Sequence, residues 1–185
     1  MAGEKILVID DNQENVQFMV DYLLQPSGYV PIVASNGRQG LESALLQRPD
    51  LIILDFKLPE MSGLDVLRAL RRAQNDIPVI FMTAFGSEDD IVASFRLGIK
   101  DYFSKPFEIQ EMMSTIERVL GEKRQAELRA LRQHELEECV KELGTLYGTS
   151  LERVLNRIVE SAVAITDAEE GYLLLVDQNT NELYM

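Results

Sequence analysis

Short apolar runs alternate with amphipathic segments along the first two thirds of the chain. The apolar runs predict strands at Lys5–Ile9, Tyr29–Ala34, Leu51–Leu54, Val79–Met82 and Asp101–Ser104. The segments between them place apolar residues three and four positions apart and predict helices at Glu14–Leu24, Arg38–Gln47, Gly63–Arg72, between Ser87 and Gly98, and from Glu108 onward. Five βα units in series predict an α/β fold, a parallel sheet with helices on both faces. Pro31 cannot donate to a strand ladder, so the second strand is expected at an edge.

The helical pattern that begins at Glu108 is unusually long. Gly121 weakens this helix but need not break it. The apolar positions continue at mostly three- and four-residue steps, as in a short coiled coil with an irregularity near His134: Ile109, Met112, Ile116, Val119, Leu128, Leu131, Leu136, Val140, Leu143 and Tyr147. This pattern predicts a homodimer through the long helix; the alternative is a monomer whose helix folds back on its own first domain.

The segment after Gly148 predicts the start of a second domain. Thr149 and Glu152 form a capping box for another helix. Gly171–Val176 and Glu182–Met185 then predict a hairpin. A two-stranded hairpin is marginally stable alone, so we expect a truncated domain. The predicted divisions are 1–121 for the first domain, 122–148 for a helical or coiled-coil linker, and 149–185 for a partial α+β domain.

Charge and composition narrow the function classes. The chain has 18 Lys and Arg against 31 Asp and Glu, a net charge of −13. Residues 1–121 contain 11 basic and 18 acidic residues, and the remainder contains 7 and 13. Neither part has the basic patch that nucleic-acid binding needs. No apolar run suits a membrane span or a signal peptide. The single cysteine, Cys139, is consistent with a reducing cytosol, so we expect a cytoplasmic protein.

Polar residues follow the predicted strands where each one ends. They are Asp10 and Asp11, Asp55, Thr83 with Ala84, and Lys105. The carboxyl ends of parallel strands share one edge of a sheet, so these residues are expected to converge there. Three clustered carboxylates suit a hard cation such as Mg²⁺, and a lysine and a hydroxyl can hold anionic oxygens. The set favours phosphoryl transfer to a carboxylate. The alternative is a set of solvated acids at strand ends.

Four segments resemble the signature of response-regulator receiver domains, over about Lys5 to Leu120. They are Asp10-Asp11, Asp55-Phe56-Lys57-Leu58-Pro59-Glu60-Met61-Ser62-Gly63, Thr83-Ala84 and Lys105-Pro106-Phe107. The resemblance implies a CheY-like fold, a doubly wound five-stranded parallel sheet of order 2-1-3-4-5. It also implies a phosphoacceptor switch that catalyses only its own phosphorylation and dephosphorylation, with a sensor histidine kinase as partner. Separately, Leu151–Met185 is similar to the opening of a GAF domain.

The same resemblance implies a role for each site residue. Asp55 would accept the phosphoryl group. Asp11, Asp55 and the backbone carbonyl of Lys57 would ligate Mg²⁺ directly, and Asp10 largely through water. Three groups would hold the phosphoryl oxygens: the Thr83 hydroxyl, the Ala84 amide and the Lys105 ammonium. The Lys105–Pro106 bond would be cis, and Tyr102 would be the switch aromatic, although ordinary edge packing is its alternative role.

Some alternative functions are disfavoured by the residue at one position, and others stay open. A receiver that is not phosphorylated would usually lack one of the site residues, and none is missing. A phosphatase of the haloacid-dehalogenase kind needs an acid two residues after its nucleophile, where this chain has Lys57. A pure coiled-coil scaffold remains open. Lys57 and Phe85 occupy positions that tune phosphoryl lifetime in the family, with a sign that stays open. His134 is most simply a solvated helix residue.

Overall fold

The computed structural model describes residues 3–84, 88–146, 151–166, 175–176 and 183–184. The chain divides into two compact units, Met1–Ala126 and Glu127–Met185. The predicted divisions at 121 and 148 stay predictions. Within the described ranges, no helix combines the length and the apolar character that crossing a bilayer requires.

The first unit is built on a five-stranded parallel sheet. Its strands are β1 Lys5–Ile9, β2 Val30–Ala34, β3 Leu51–Asp55, β4 Val79–Thr83 and β5 Asp101–Ser104. The strand order is β2-β1-β3-β4-β5, as the family resemblance implied. Its helices are α1 Gln13–Phe18, α2 Gly37–Gln47, α3 Gly63–Arg72, α4 Glu88–Arg96 and α5 Ile109–Leu146. The edge position predicted for the strand containing Pro31 is confirmed.

Two hydrophobic cores cover the two faces of the sheet. Ile6, Val8 and Ile53 face one core, which the Met19–Leu24 segment and α5 close. Leu7 and Leu54 face the other core, which α2 and α3 close. All residues of β3 and β4 are buried. Both faces of a central parallel strand are covered, which is why these strands are continuous apolar runs rather than alternating ones.

The first helix differs from its prediction. It is α-helical only at Gln13–Phe18 and continues as a π-helix at Met19–Leu24. The Gln25 N–H donates to the Val20 carbonyl at 3.0 Å, an i→i−5 bond. Met19, Leu23 and Leu24 are all buried. A π-helical turn brings positions four and five residues apart onto one face, whereas an α-helical turn would direct Leu24 away from Met19.

Two ion pairs join the continuation of α5 to the N-terminal edge of the sheet. Lys123 Nζ lies 2.6 Å from Asp50 Oδ1, and an Arg124 guanidinium nitrogen lies 2.6 Å from Glu4 Oε1. Asp50 also accepts the backbone N–H of Lys5 at 2.8 Å. We call these two pairs the ionic clasp. Its two basic residues follow Gly121 within α5.

The second unit contains the end of α5, a further helix and a small hairpin. The helix is α6, Leu151–Thr166, and the hairpin pairs β6 Leu175–Val176 with β7 Leu183–Tyr184 in antiparallel fashion. On α5, Leu128, Leu131 and Leu136 are 53%, 55% and 67% exposed. The predicted capping residue Thr149 and most of the first predicted hairpin strand lie outside the described residues.

Candidate functional site

Three carboxylates lie together at the carboxyl ends of β1 and β3. Asp10, Asp11 and Asp55 each place an oxygen within 4.8 Å of the others. β1 and β3 are neighbours in parallel register, with Ile9 opposite Leu54, so the residues that follow these positions share one edge. Asp10 is 1% exposed and Asp55 8% exposed, whereas Asp11 is exposed. The structure therefore brings together the acids that the sequence placed at strand ends.

The segment that begins α1 holds the Asp10 carboxylate in place. The Asn12 N–H donates to Asp10 Oδ1 at 2.8 Å, and Asn15 Nδ2 donates to Oδ2 at 3.2 Å. The Asn12 side chain meanwhile caps α1 by accepting the N–H groups of Glu14 and Asn15. Sequence reasoning missed both asparagines as site residues. The available signal was Asn12 directly before an amphipathic helix, a typical N-cap position.

Lys105 bridges two of the carboxylates. Its Nζ lies 2.6 Å from Asp10 Oδ2 and 2.5 Å from Asp55 Oδ2. The Lys105 backbone N–H donates to the Thr83 carbonyl at 2.7 Å and so fixes the lysine beside the end of β4. The implied cis bond between Lys105 and Pro106 is present. The ammonium thus offsets part of the repulsion between two buried carboxylates.

Burial and charge shift the pKa values of the bridged pair. Burial raises the pKa of the Asp55 carboxyl, and this effect outweighs the hydrogen bonds from Lys105 and from the Lys57 N–H. The charge of Asp10 raises it further. Burial lowers the pKa of Lys105, but hydrogen bonds to Asp10 and Asp55 overcome that effect and leave it raised. Lys105 is therefore held firmly in its cationic form.

The remaining predicted residues lie at or just after the carboxyl ends of β3 and β4. Thr83 is buried at the end of β4, one residue beyond Met82, the register partner of Asp55. Ala84 follows it and is exposed. The Lys57 N–H donates to Asp55 Oδ1 at 3.0 Å. Phe85 lies outside the described residues.

Tyr102 on β5 is partly buried and packs against the core cluster on the α2–α3 face of the sheet. Burial raises the pKa of its phenol, with a smaller contribution from the charge of Asp90 on α4. Leu97, directly after α4, packs against the same cluster. Tyr102 and the residue that follows α4 thus share one core cluster, and the switch role of Tyr102 stays a prediction.

A cavity of about 440 Å³ adjoins Lys105. It is lined mostly by apolar groups from α1, β4 and the segment after β5: Asn15, Phe18, Met19, Met82, Lys105, Pro106 and Phe107. Phe18 is 39% exposed at its rim. An apolar cavity beside a charged cluster can seat an apolar group while a polar group reaches the carboxylates.

The donor set fits a magnesium ion. Mg²⁺ prefers oxygen ligands, binds through one or two carboxylates and keeps several of its waters. The three clustered carboxylates supply such oxygens, and the exposed side of Asp11 leaves room for water. No cluster of sulfur or imidazole ligands accompanies them in the described part of the chain, so a softer metal is disfavoured.

Comparison with protein families gives a match over the first unit. The family described as Response regulator receiver domain matches residues 6–117. Sporulation initiation phosphotransferase F of Bacillus subtilis is 38% identical over 120 residues, which cover 65% of this chain and 96% of that protein. The phosphate regulon transcriptional regulatory protein PhoB of Pseudomonas aeruginosa is 36% identical over 122 residues.

The extent of the match differs between relatives. PhoP of Bacillus subtilis, the alkaline phosphatase synthesis transcriptional regulatory protein, is 38% identical over 64% of this chain. The chain spans 49% of the length of PhoP and 53% of the length of PhoB. The similarity to PhoP and PhoB is therefore confined to about half of their length.

Solved structures share the fold of the first unit. The receiver domain of Francisella response regulator 1452 superposes with a TM-score of 0.61 at 28% identity, covering 65% of this chain and 98% of that one. Chemotaxis protein CheY4 of Vibrio cholerae gives a TM-score of 0.58 at 30% identity, covering 64% and 99%. The matched region ends before most of the second unit.

Proposed function

This chain belongs to the response regulator receiver domain family, and from that membership we propose that Asp55 is the phosphoacceptor of a two-component signalling switch. Receiver domains are phosphorylated by sensor histidine kinases. We propose that this chain is likewise a phosphoacceptor switch that catalyses only its own phosphorylation and dephosphorylation. One observation carries the proposal: Lys105 contacts Asp10 and Asp55 within a cluster of three carboxylates.

In the proposed step, a carboxylate oxygen of Asp55 attacks phosphorus of a phosphohistidine. The O–P bond forms while the P–N bond breaks, and the imidazole leaves. Lys105, the Thr83 hydroxyl and the Ala84 N–H hold the phosphoryl oxygens. Asp10, Asp11, Asp55 and the Lys57 carbonyl are the groups that would hold Mg²⁺, which supplies charge neutralisation when bound. Positioning and electrostatics, rather than proton transfer, carry the reaction.

A labelling experiment tests this assignment. Incubation of the full chain with acetyl phosphate and Mg²⁺ is expected to add one phosphoryl group, located by mass spectrometry at Asp55. Asp55→Asn should abolish the adduct, whereas Asp21→Asn, a change at an exposed acid on the first helix, should leave it intact. A phosphoryl adduct at the wild-type level in Asp55→Asn would refute the assignment.

We further propose that α5 carries the signal to a downstream output, through a homodimer. The observation that favours this is the row of exposed leucines Leu128, Leu131 and Leu136 in the second unit. Each side chain gains about 1.5–3 kcal/mol when fully buried against a twin helix. The entropy of association opposes that gain, so the dimer is expected to be of modest affinity.

Sedimentation distinguishes the dimer from the monomer. The wild type is expected to approach twice its monomer mass as concentration rises, whereas Leu131→Glu, Leu136→Glu should stay monomeric. The control Ala130→Glu, Gln133→Glu adds the same charge on the opposite side of the same helix and should still dimerise. A wild type with monomer mass at high concentration would exclude the dimer.

The proposal extends to the rest of the chain. Leu151–Met185 is proposed to open a GAF domain, and the segment from 122 to 148 to be its helical linker. We propose a cytoplasmic location, a sensor histidine kinase as partner and no direct nucleic-acid binding by this acidic chain. PhoP and PhoB are named as transcriptional regulatory proteins, and the chain spans only about half of each.

A further inference from the structure

One arginine joins the ends of two helices on the α2–α3 face of the sheet. Arg71, in the last turn of α3, donates to four backbone carbonyls. Its Nε donates to the Leu97 carbonyl at 3.0 Å and its Nη2 to the Gly98 carbonyl at 3.2 Å. Its Nη1 donates to the carbonyls of Asn75 at 2.6 Å and Ile77 at 3.3 Å. The first two acceptors follow α4, and the other two precede β4.

These carbonyls lie where a cation is most favourable. The last carbonyls of a helix have no intrahelical partner, and the C-terminal end of a helix carries partial negative charge. α4 ends at Arg96 and is followed by Gly98 with a φ of +81°, the left-handed conformation that commonly terminates a helix. A planar guanidinium with five donors can satisfy several such acceptors together, which an ammonium cannot do with the same geometry.

The other end of α4 has a different attachment. Helix α4 starts at Glu88, five residues after Thr83, which the proposed function places on the phosphoryl group. On the same side of the sheet, Leu97 and Tyr102 both pack against the core cluster. One end of α4 is therefore connected through a short segment to the phosphorylation site, and the other end is bound to α3 through charged hydrogen bonds.

We propose that Arg71 is a positioning residue that fixes the C-terminal end of α4, so that a displacement of Thr83 turns the helix about that end. This inference rests on the proposed phosphoryl switch and names its pivot. Charge-assisted hydrogen bonds are about twice as strong as neutral ones, so breaking two of them to shift the whole helix costs more than tilting it. The motion is therefore largest near Glu88 and smallest near Gly98.

Hydrogen exchange along α4 tests the pivot, because a merely stabilising arginine would not control where a response occurs. The full chain is measured by mass spectrometry with and without beryllofluoride and Mg²⁺, a phosphoryl mimic. In the wild type, amides near Glu88–Val92 should change their exchange rates at least fivefold, and those at Leu97–Ile99 less than twofold. In Arg71→Ala, both ends should change by at least fivefold.

Two further variants complete the design. Arg72→Ala removes an exposed arginine at the neighbouring position and should respond as the wild type does. Arg71→Lys keeps the charge without the planar fork and should lose the contrast between the two ends at least in part. If Arg71→Ala does not fold, Arg71→Lys decides by the same criterion.

The pivot is wrong if the wild type responds equally at both ends of α4, or if the Arg71 variants keep a response confined to the Glu88 end. A wild type with no change anywhere on adding beryllofluoride contradicts the proposed switch itself. The labelling of Asp55 reports on that switch independently, so failure of the pivot and failure of the switch are distinguishable.

Discussion

Gly63→Ala is expected to lower the free energy of unfolding of the first unit by about 3 kcal/mol. Gly63 begins α3, close to the carboxyl end of β3. A Cβ at this position would lie 2.3 Å from the Asp55 carbonyl oxygen and 2.9 Å from Phe81 Cε1. Ordinary contacts between carbon atoms are about 3.5–4.0 Å, so a backbone atom must move by roughly 1 Å. Overpacking typically costs about 1–3 kcal/mol, and this change falls at the upper end because the contacted atom belongs to the backbone rather than to a flexible side chain.

A second glycine provides the matched control. Gly121 lies inside α5, and a Cβ there meets nothing within 4 Å. Gly121→Ala is therefore expected to stabilise the chain by about 0.5–1 kcal/mol, the usual helix preference for alanine. Both free energies come from urea denaturation followed by circular dichroism. Because relief of the clash displaces the Asp55 backbone, Gly63→Ala should also bind beryllofluoride more weakly.

The reasoning is refuted if Gly63→Ala unfolds at the wild-type urea midpoint. It is also refuted if the two glycine variants are destabilised equally, because the cost would then come from losing glycine rather than from the contact with Asp55. A destabilised Gly63→Ala with unchanged beryllofluoride affinity would show that α3 moves and the strand does not.

Three further changes give expected outcomes of their own. Mg²⁺ should raise the melting temperature by an increment equivalent to about 2.7 kcal/mol at a hundred times its Kd. Asp11→Ala should remove most of that increment, and an undiminished increment in this variant would place the ion elsewhere. Asn12→Ala should cost about 1 kcal/mol in urea denaturation through the lost helix cap, whereas the adjacent Gln13→Ala should cost little. Lys123→Ala should cost at most about 1 kcal/mol at neutral pH. Burial raises the pKa of Asp50, but hydrogen bonds from Lys123 and the Lys5 N–H outweigh this effect and leave the pKa lowered. The cost of Lys123→Ala should therefore be present above about pH 4 and fade as acid protonates Asp50 in the folded state. A cost that grows on acidification would contradict the pairing.

Much of the first unit could be predicted because buried strands are visible in the sequence as runs of apolar residues. β3 and β4 are covered on both faces, so each is a short continuous apolar run, and the alternation of runs with helices predicts a parallel sheet. The position of the acids at strand ends then predicts their convergence. Asp10 and Asp55 are close for this topological reason, which requires no knowledge of side-chain packing.

The features that escaped prediction depend on geometry that residue types do not encode. The π-helical Met19–Leu24 differs from an α-helix in hydrogen bonds that span five residues instead of four. Its apolar spacing also satisfies an α-helical pattern over so short a segment. Arg71 binds backbone carbonyls, which every residue possesses, so no partner side chain marks it in the sequence. Lys105 was expected to hold phosphoryl oxygens, and its bridge between two carboxylates appears only when β1, β3 and β5 are assembled.

The ionic clasp sets the rotational phase with which α5 leaves the sheet. Lys123 and Arg124 are adjacent on the helix, and their fixed partners, Asp50 and Glu4, allow only one azimuth for both pairs. Each residue inserted between Leu120 and Lys123 would turn both basic side chains by about 100° about the helix axis, away from Asp50 and Glu4. A single-residue insertion there is therefore expected to separate both ion pairs together, although it removes no charged residue.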